Sequence, residues 1–490
     1  MVGTLAVVGF TAETVPPVAD RLLVAPAPAA ALLNPAFTVQ ARCAGGTWQD
    51  VAVYTTRVGL REMSQVAFAS FDFSGRVELS ITRTAGEFTT LAIRPAAAAQ
   101  LVSHNGATAL LVVDHPGQCS FEVDGDRAHN LHLFANPLEE QVPQPGDPGV
   151  LYFAPGVHAV GNDPLLTSEG DIGGLPRAVL KVASGQTVYL APGSVVQAAV
   201  KVEDHAKQVV IRGRGIIDLS PWNEPDGRFK KGHTYQTPAI NLPRTSGVRI
   251  EGIIIKQPTG YAICGGNAED VTIDNVKSFS SHLWADGIDM MSSSHITIRR
   301  IFIRNSDDGI AIYGSRFSFH GDSTAWTVSD AVLWADCAHP IYLGVHGDYQ
   351  GKGDTIADIT FHNIDILESN EQNQGYWGAL SIGCGDRNTC RDITFSDIRV
   401  DHIRDAGGRL IDLQFKHFPP STIDGSAISG ITFRNLVYNG PMGSLIAGRS
   451  ETQQITGVVF DHVVINGRQV AAPSDGGVVV GPFVSGVEWR

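Results

Sequence analysis

From residue 248 onward one short hydrophobic pattern keeps returning. Val248-Arg249-Ile250, Val271-Thr272-Ile273, Ile296-Thr297-Ile298, Trp326-Thr327-Val328, Ile359-Thr360-Phe361, Ile393-Thr394-Phe395, Ile431-Thr432-Phe433 and Val458-Val459-Phe460 each place two apolar residues around a central one. Successive offsets are 23, 25, 30, 33, 34, 38 and 27 residues. A period of two predicts strands rather than helices. Constant strand phase with turns of varying length predicts a right-handed parallel β-helix, in which coils stack and insertions collect in loops. Leucine-rich repeats are the competing reading, but the leucine ladder is absent and the repeat lengths vary too widely. The β-helix is expected over residues 141–490. Ahead of it, residues 1–140 carry apolar runs at 51–56, 66–73, 77–83, 90–94, 110–113, 120–123 and 130–134. Turn signals at spacings of roughly 8–12 residues between such runs predict a β-sandwich. Asp124-Gly125-Asp126 reads as a tight hairpin turn and 136–149, rich in Pro, Glu and Gln, as a linker. The chain is therefore expected to be all-β.

Composition narrows the function. With 490 residues the chain can bury a large core, and 53 glycines and 26 prolines suit many turns. A net charge of −14 argues against nucleic acid or an anionic membrane as partner. No apolar run approaches a membrane-spanning length. Six cysteines are too few and too scattered for a disulfide scaffold. Cys384 and Cys390 are close enough to bridge, and free thiols fit them equally well. Zinc-type Cys or His spacing is absent. The apolar start Met1-Val2-Gly3-Thr4-Leu5-Ala6-Val7-Val8 lacks a basic n-region. The expectation is a cytoplasmic protein, or a secreted one whose leader has been removed.

Chemistry concentrates where Asp286-Gly287-Ile288 repeats as Asp308-Gly309-Ile310, 22 residues on. Tyr261-Ala262-Ile263, His339-Pro340-Ile341, Gly378-Ala379-Leu380 and Gly408-Arg409-Leu410 fit the same register. Coils stack about 4.8 Å apart, so Asp286 and Asp308 would be neighbours in one outward column, with Asp307 reaching the same groove. Crowded carboxylates cannot all ionise cheaply, which raises at least one pKa. A protonated acid beside an ionised base is what glycosidic hydrolysis needs. A single Asp-Gly is ordinarily a turn; three aspartates with His339 in register point to catalysis. Calcium is the other use of clustered carboxylates. It is disfavoured because His339 suits it poorly and no Asp-x-Asp-x-Asp loop is present, so neither metal nor cofactor is expected. Tyr261, Trp284, Tyr376 and Trp377 are candidates for stacking on sugar rings. His346, with Asp348, is a further substrate contact from the following loop. Trp326 and Trp334 are assigned to coil packing, and 223–235, with Lys230, Lys231 and His233, to a polar loop overhanging the groove.

At these residues the chain resembles the polygalacturonase-like β-helix hydrolases, the clan of glycoside hydrolase families 28 and 49. Tyr152-Phe153-Ala154-Pro155-Gly156-Val157, Val188-Tyr189-Leu190-Ala191-Pro192-Gly193 and Ile211-Arg212-Gly213-Arg214-Gly215-Ile216-Ile217-Asp218 look like the opening coils of such enzymes. Trp284-Ala285-Asp286-Gly287 and Asn305-Ser306-Asp307-Asp308 stand where the clan has its aspartate motifs. A sandwich ahead of the helix is similar to the dextranase and isopullulanase group, family 49. The resemblance implies a cofactor-free inverting hydrolase of α-glycosidic bonds, with Asp307 as general acid. Asp286 and Asp308 would activate water, and His339 would tune the acid. Two departures follow. Ala338-His339-Pro340 replaces Gly-His-Gly. The Arg-Ile-Lys with which family 28 grips a uronate carboxylate is replaced by Asp365-Ile366-Leu367-Glu368, which favours a neutral poly- or oligosaccharide. Lys416 could compensate from a later coil, which keeps a pectin-type substrate open. Transglycosylase and lyase action on the same scaffold, and non-catalytic glycan binding, are the remaining alternatives.

Overall fold

The computed structural model describes residues 20–60, 62–172, 174–223, 237–373, 375–404, 407–415, 421–441 and 443–490. Lys416 and most of the 223–235 loop lie outside these. Among the described residues the chain is all-β, with three short 3-10 turns and no α-helix. From Arg21 to Pro137 the strands form two sheets of six and five strands. They pack face to face through Phe37, Val39, Phe71, Phe73, Leu79, Ile81, Leu111 and Phe121. The sequence pattern missed three strands here, Arg21–Leu23, Phe37–Cys43 and Gln100–Asn105. The expected hairpin at Asp124 is instead a longer loop, because Phe121 pairs with Leu131 across it. Asp124 accepts hydrogen bonds from the backbone N–H groups of Thr89 and Thr90, which stabilises that loop against an adjacent strand.

From Val150 the chain winds as a parallel β-helix. Every triplet identified from the hydrophobic pattern pairs with the next: Val248 with Val271, then Ile296, Trp326, Ile359, Ile393, Ile431 and Val458. Inside the coil Phe361, Phe395, Phe433, Phe460 and Trp489 stack with ring centroids 5.0, 5.2, 5.5 and 4.1 Å apart. Like side chains in one register fill each layer in the same way, so the core is a set of ladders. A separate twelve-stranded sheet runs along one side of the helix. In it Ile263, Ile288, Ile310, Ile341, Leu380 and Ile411 are paired coil to coil and point inward. Residues in the alternate phase point outward.

The sandwich packs on the coil face that leads into this sheet. Phe68 and Phe134 meet Phe279, Phe302 and Trp334. Arg304 is almost fully buried there, bonded to Asp336 at 2.9 and 3.1 Å and to Asn130 at 2.9 Å. Removing one partner of such a buried pair is far costlier than its net contribution. Arg304 and Asp336 lie three residues ahead of Asp307 and His339 respectively. This pair therefore fixes the two turns that present those side chains.

Candidate active site

Why the aspartates share one column follows from backbone spacing. Ala262 N–H donates to Asp286 O, Gly287 N–H to Asp308 O and Gly309 N–H to His339 O, at 2.8, 2.8 and 2.7 Å. Residues 261, 286, 308 and 339 thus stack directly. The glycines after the aspartates are required by close approach: a Cβ on Gly287 would strike Gly309 O, and one on Gly309 would lie 2.6 Å from Pro340 O. Gly309→Ala is expected to force adjacent coils apart, costing about 1–3 kcal/mol. Turnover should fall with it. Thermal unfolding together with a rate assay checks this, and an unshifted midpoint would contradict the steric reading.

One step of the sequence register is corrected. Ala379 N–H donates to Arg409 O, and Leu380 pairs with Ile411. The segment after Gly408 therefore sits one residue along from the alignment made with Leu410, and a one-residue slip turns side chains to the other face. Arg409, not Gly408, joins the column. The comparison of Asp365–Glu368 with a carboxylate clamp is also corrected, because Asp365 and Glu368 lie in strand Thr355–Glu368 of the other sheet. There Asp365 pairs with Arg399 at 2.5 Å and Glu368 with Arg404 at 3.2 Å. The strands that continue the aspartate sheet are Leu380–Cys384 and Ile411–Phe415. Their outward residues are Ser381 and Gly383, then Asp412 and Gln414, none cationic.

One carboxylate oxygen from each of Asp286, Asp307 and Asp308 lies within 4.8 Å of the other two. Burial first, then Asp308, pushes the Asp307 carboxyl up to about 7. The Asp308 backbone N–H, donating to Asp307 at 3.1 Å, and His339 oppose this shift. Asp286 is driven up by burial and then by Asp289, Asp307 and Asp308. Asp308 is held differently. Its Oδ1 accepts both the backbone N–H of His339 at 3.0 Å and the ring Nδ1–H at 2.7 Å. Nε2 of His339 donates to Tyr376 O at 3.0 Å. Both ring nitrogens face acceptors, an arrangement satisfied by the doubly protonated ring. Tyr342 stacks on that ring at 4.3 Å, Tyr376 meets it edge-on at 4.7 Å, and the buried Glu371 carboxylate lies 4.0 Å from Nδ1.

The remaining sequence candidates are placed as follows. Tyr261 is buried beside Asp286, whose charge, after burial, holds its phenol protonated. Trp284 is 52 % exposed, just before Asp286. His346 meets the Tyr313 ring edge-on at 4.9 Å, and burial with the Arg316 charge pushes it down to about 2. A neutral imidazole is thus available there across the working pH range. Trp377 lies flat against Gly407, with the Arg409 guanidinium 5.0 Å from its ring. Asp348 is turned into its own loop, accepting from Gly351 N–H at 2.8 Å. Trp326 and Trp334 are core residues. Cys384 and Cys390 are buried free thiols.

Sequence reasoning missed four groups. Asp289 is fully buried, in contact with Asp286, and pushed up by burial. Arg316 NH1 stands 3.6 Å from it. Tyr313 hydroxyl reaches Asp308 at 3.4 Å, and Glu371 closes the back of His339. A signal for Asp289 was present, since it occupies the outward phase of its strand after Asp286. Arg316 and Glu371 arrive from loops, where no periodicity marks them. Chemically, the cluster offers carboxyls whose protons burial retains toward neutrality, Asp307 among them, beside an Asp308 side chain fixed by the His339 ring. Asp286, Asp307 and Asp308 also present three oxygens that a divalent cation could bridge.

The family model for glycosyl hydrolases family 28 matches residues 191–467, more than half of the chain and the whole of this site. The chain belongs to that family. Among curated proteins it is 25% identical over 257 residues to the probable endo-xylogalacturonan hydrolase A of Aspergillus fumigatus, covering 50% of this chain and 60% of that protein. It is 29% identical over 205 residues to endopolygalacturonase A of Aspergillus niger, covering 40% and 49%. The match thus spans less than two thirds of those relatives. Among solved structures it is similar to Dex49A from Penicillium minioluteum, with a TM-score of 0.59 and 14% identity over 95% of this chain and 96% of that one. That likeness extends the shared fold over the sandwich as well as the helix.

Proposed function

We propose that this protein hydrolyses α-glycosidic bonds of a neutral poly- or oligosaccharide by acid–base catalysis. Asp307 protonates the leaving oxygen, Asp286 and Asp308 orient the attacking water, and Asp308 takes its proton. The observation that carries this reading is the cluster itself: three carboxylates within 4.8 Å, one of them raised to about 7. His339 fixes Asp308 through its backbone N–H and its ring Nδ1, at 3.0 and 2.7 Å, so that a second carboxyl is held in place beside the acid. Membership of family 28 supports glycoside hydrolysis as the reaction class. A neutral substrate is supported by the strands that continue the aspartate sheet, whose outward residues Ser381, Gly383, Asp412 and Gln414 include no cation to hold a uronate carboxylate.

One observation favours a second reading, a pectin-type substrate. Arg409 stands in the column two coils beyond His339, and the curated relatives are named for galacturonan hydrolysis. Against it, Asp412 already pairs with Arg409 at 2.9 Å. Dextran, pullulan, arabinan, fructan and polygalacturonate assayed for new reducing ends would separate the two. Cleavage of polygalacturonate alone would overturn the neutral-substrate reading. A chelator is expected to leave turnover unchanged, and an ultraviolet-absorbing unsaturated product would instead identify a lyase.

Stereochemistry is a separate question. Inversion, which the clan resemblance implies, normally goes with acid and base about 6.5–9.5 Å apart, and retention with about 5–5.5 Å. The oxygens here are closer than the inverting range. Inversion is proposed nonetheless, with Asp286 and Asp308 on adjacent coils sharing one water. NMR of the first-formed anomer tests it; a retained product would assign one of these aspartates as nucleophile.

A further inference from the structure

The tip of the Arg316–Phe319 turn carries a feature that the aspartate chemistry does not use. Arg316 and Phe319 exchange two backbone hydrogen bonds of 3.0 Å, leaving Phe317 and Ser318 as the two central residues. Phe317 has a φ of +56°. The left-handed region is ordinarily taken by glycine, and a bulky residue held there is a strained exception of the kind found at ligand-contacting sites. Its ring is nevertheless 65 % exposed. An apolar group that is both strained and left in water is not explained by folding.

The turn beneath that ring is rigidly anchored. Arg244 donates to Ser318 O and Oγ at 2.9 and 3.0 Å. His320 N–H donates to Asn267 Oδ1 at 3.1 Å, and Asn267 Nδ2 donates back to His320 O at 2.8 Å. Phe319 packs directly on Gly266, where any side chain would collide with its ring. The exposed ring is therefore presented on a fixed support, and little backbone freedom of the turn remains to be lost on binding.

Its position ties it to the acids. The Arg316 guanidinium lies 4.8 Å from the Phe317 ring centroid, and its NH1 is 3.6 Å from Asp289. Those distances confine the ring to within about 10 Å of the Asp289 carboxylate, which itself touches Asp286. Phe317 follows the end of strand Ile310–Tyr313, whereas Trp284 precedes the start of strand Ile288–Met291 on the neighbouring coil. The two aromatics thus flank the aspartate column from opposite ends of its strands. Trp284 also sits at positive φ, +57°.

We propose that Phe317 is a sugar-binding platform, stacking on the apolar face of a pyranose unit in the subsite across the groove from Trp284. This deepens the glycan-hydrolase reading and rests on it. A phenyl ring offers no charge, so the platform suits a neutral hexopyranose and gives a uronate no added attraction.

The test uses isomaltohexaose and hexagalacturonate, with full-length protein throughout. Calorimetric binding is measured in the Asp307→Asn background, with and without Phe317→Ala, and KM and kcat are measured in the active protein. Phe317→Ala is expected to weaken isomaltohexaose binding and raise KM by roughly 3- to 10-fold, as loss of an aromatic contact implies, with kcat nearly held. Phe317→Trp should restore both, which a purely structural role of the turn would not predict. Unchanged affinity and KM in Phe317→Ala, while the parent still cleaves glycan, would overturn the platform alone. A loss that Phe317→Trp fails to rescue would also overturn it. A parent protein that binds neither probe and releases no reducing ends from dextran, pullulan, arabinan, fructan or polygalacturonate would overturn the hydrolase reading, and the platform with it.

Discussion

Asp307→Asn is expected to lower turnover by roughly 10²- to 10⁴-fold, the usual contribution of a positioned general acid. The coil stack should remain intact, because the Asp308 N–H that Asp307 accepts can be met equally by the amide oxygen of asparagine. The reason for the loss is specific to the site. Burial and the neighbouring Asp308 hold the Asp307 proton up to about pH 7, so near neutrality it can both give a proton to a leaving oxygen and lose it. In the unsubstituted protein, kcat should accordingly fall as pH rises through about 7. A substrate with an activated leaving group, such as a nitrophenyl glycoside, needs less protonation and should lose much less rate in Asp307→Asn. Equal losses on activated and unactivated substrates would remove Asp307 from the acid role. A pH profile with no limb near 7 would contradict the electrostatics.

Stability should respond to the same group in the same sense as activity. In the unfolded chain Asp307 ionises near its ordinary value of 3.8, whereas in the fold it holds its proton up to about 7. The folded state therefore binds this proton more tightly. Its stabilising contribution is fully present below about pH 4 and is lost as pH rises through about 7. Wild type should lose stability relative to Asp307→Asn between about pH 4 and pH 8, by at most about 4 kcal/mol. Asp286 and Asp289 are raised as well, by burial first, so the whole cluster is strained at alkaline pH. Urea unfolding of both proteins across this range measures the difference. Parallel stability curves would show that the carboxylates are not held together in solution. The trade is physically reasonable: a site that keeps an acid protonated at neutrality does so by making its ionised form costly.

Hydrophobic periodicity determined the scaffold. The triplets from Val248 to Phe460 carried enough register information to predict which residue pairs with which over eight successive coils. Period two is a local property, and each coil repeats the packing of the last. The same logic placed Asp286, Asp308 and His339 in one column, since Ile288, Ile310 and Ile341 mark the inward phase beside them. It failed at Gly408-Arg409-Leu410, where adjacent apolar residues Leu410 and Ile411 gave two equally good registers. Only the backbone pairing chose between them, and it turned Arg409 toward the groove. The aspartate cluster's electrostatics were decided by tertiary structure for a different reason. Asp289, in strand Ile288–Met291, touches Asp286 just ahead of that strand, and both are buried. Arg316, Glu371 and Tyr376 reach the column from turns whose lengths obey no period. The sequence thus determined which side chains line up along the coil axis, a matter of repeat phase. Which charges face one another across the groove depends on irregular loops folding back over that axis, and only the folded chain decides it.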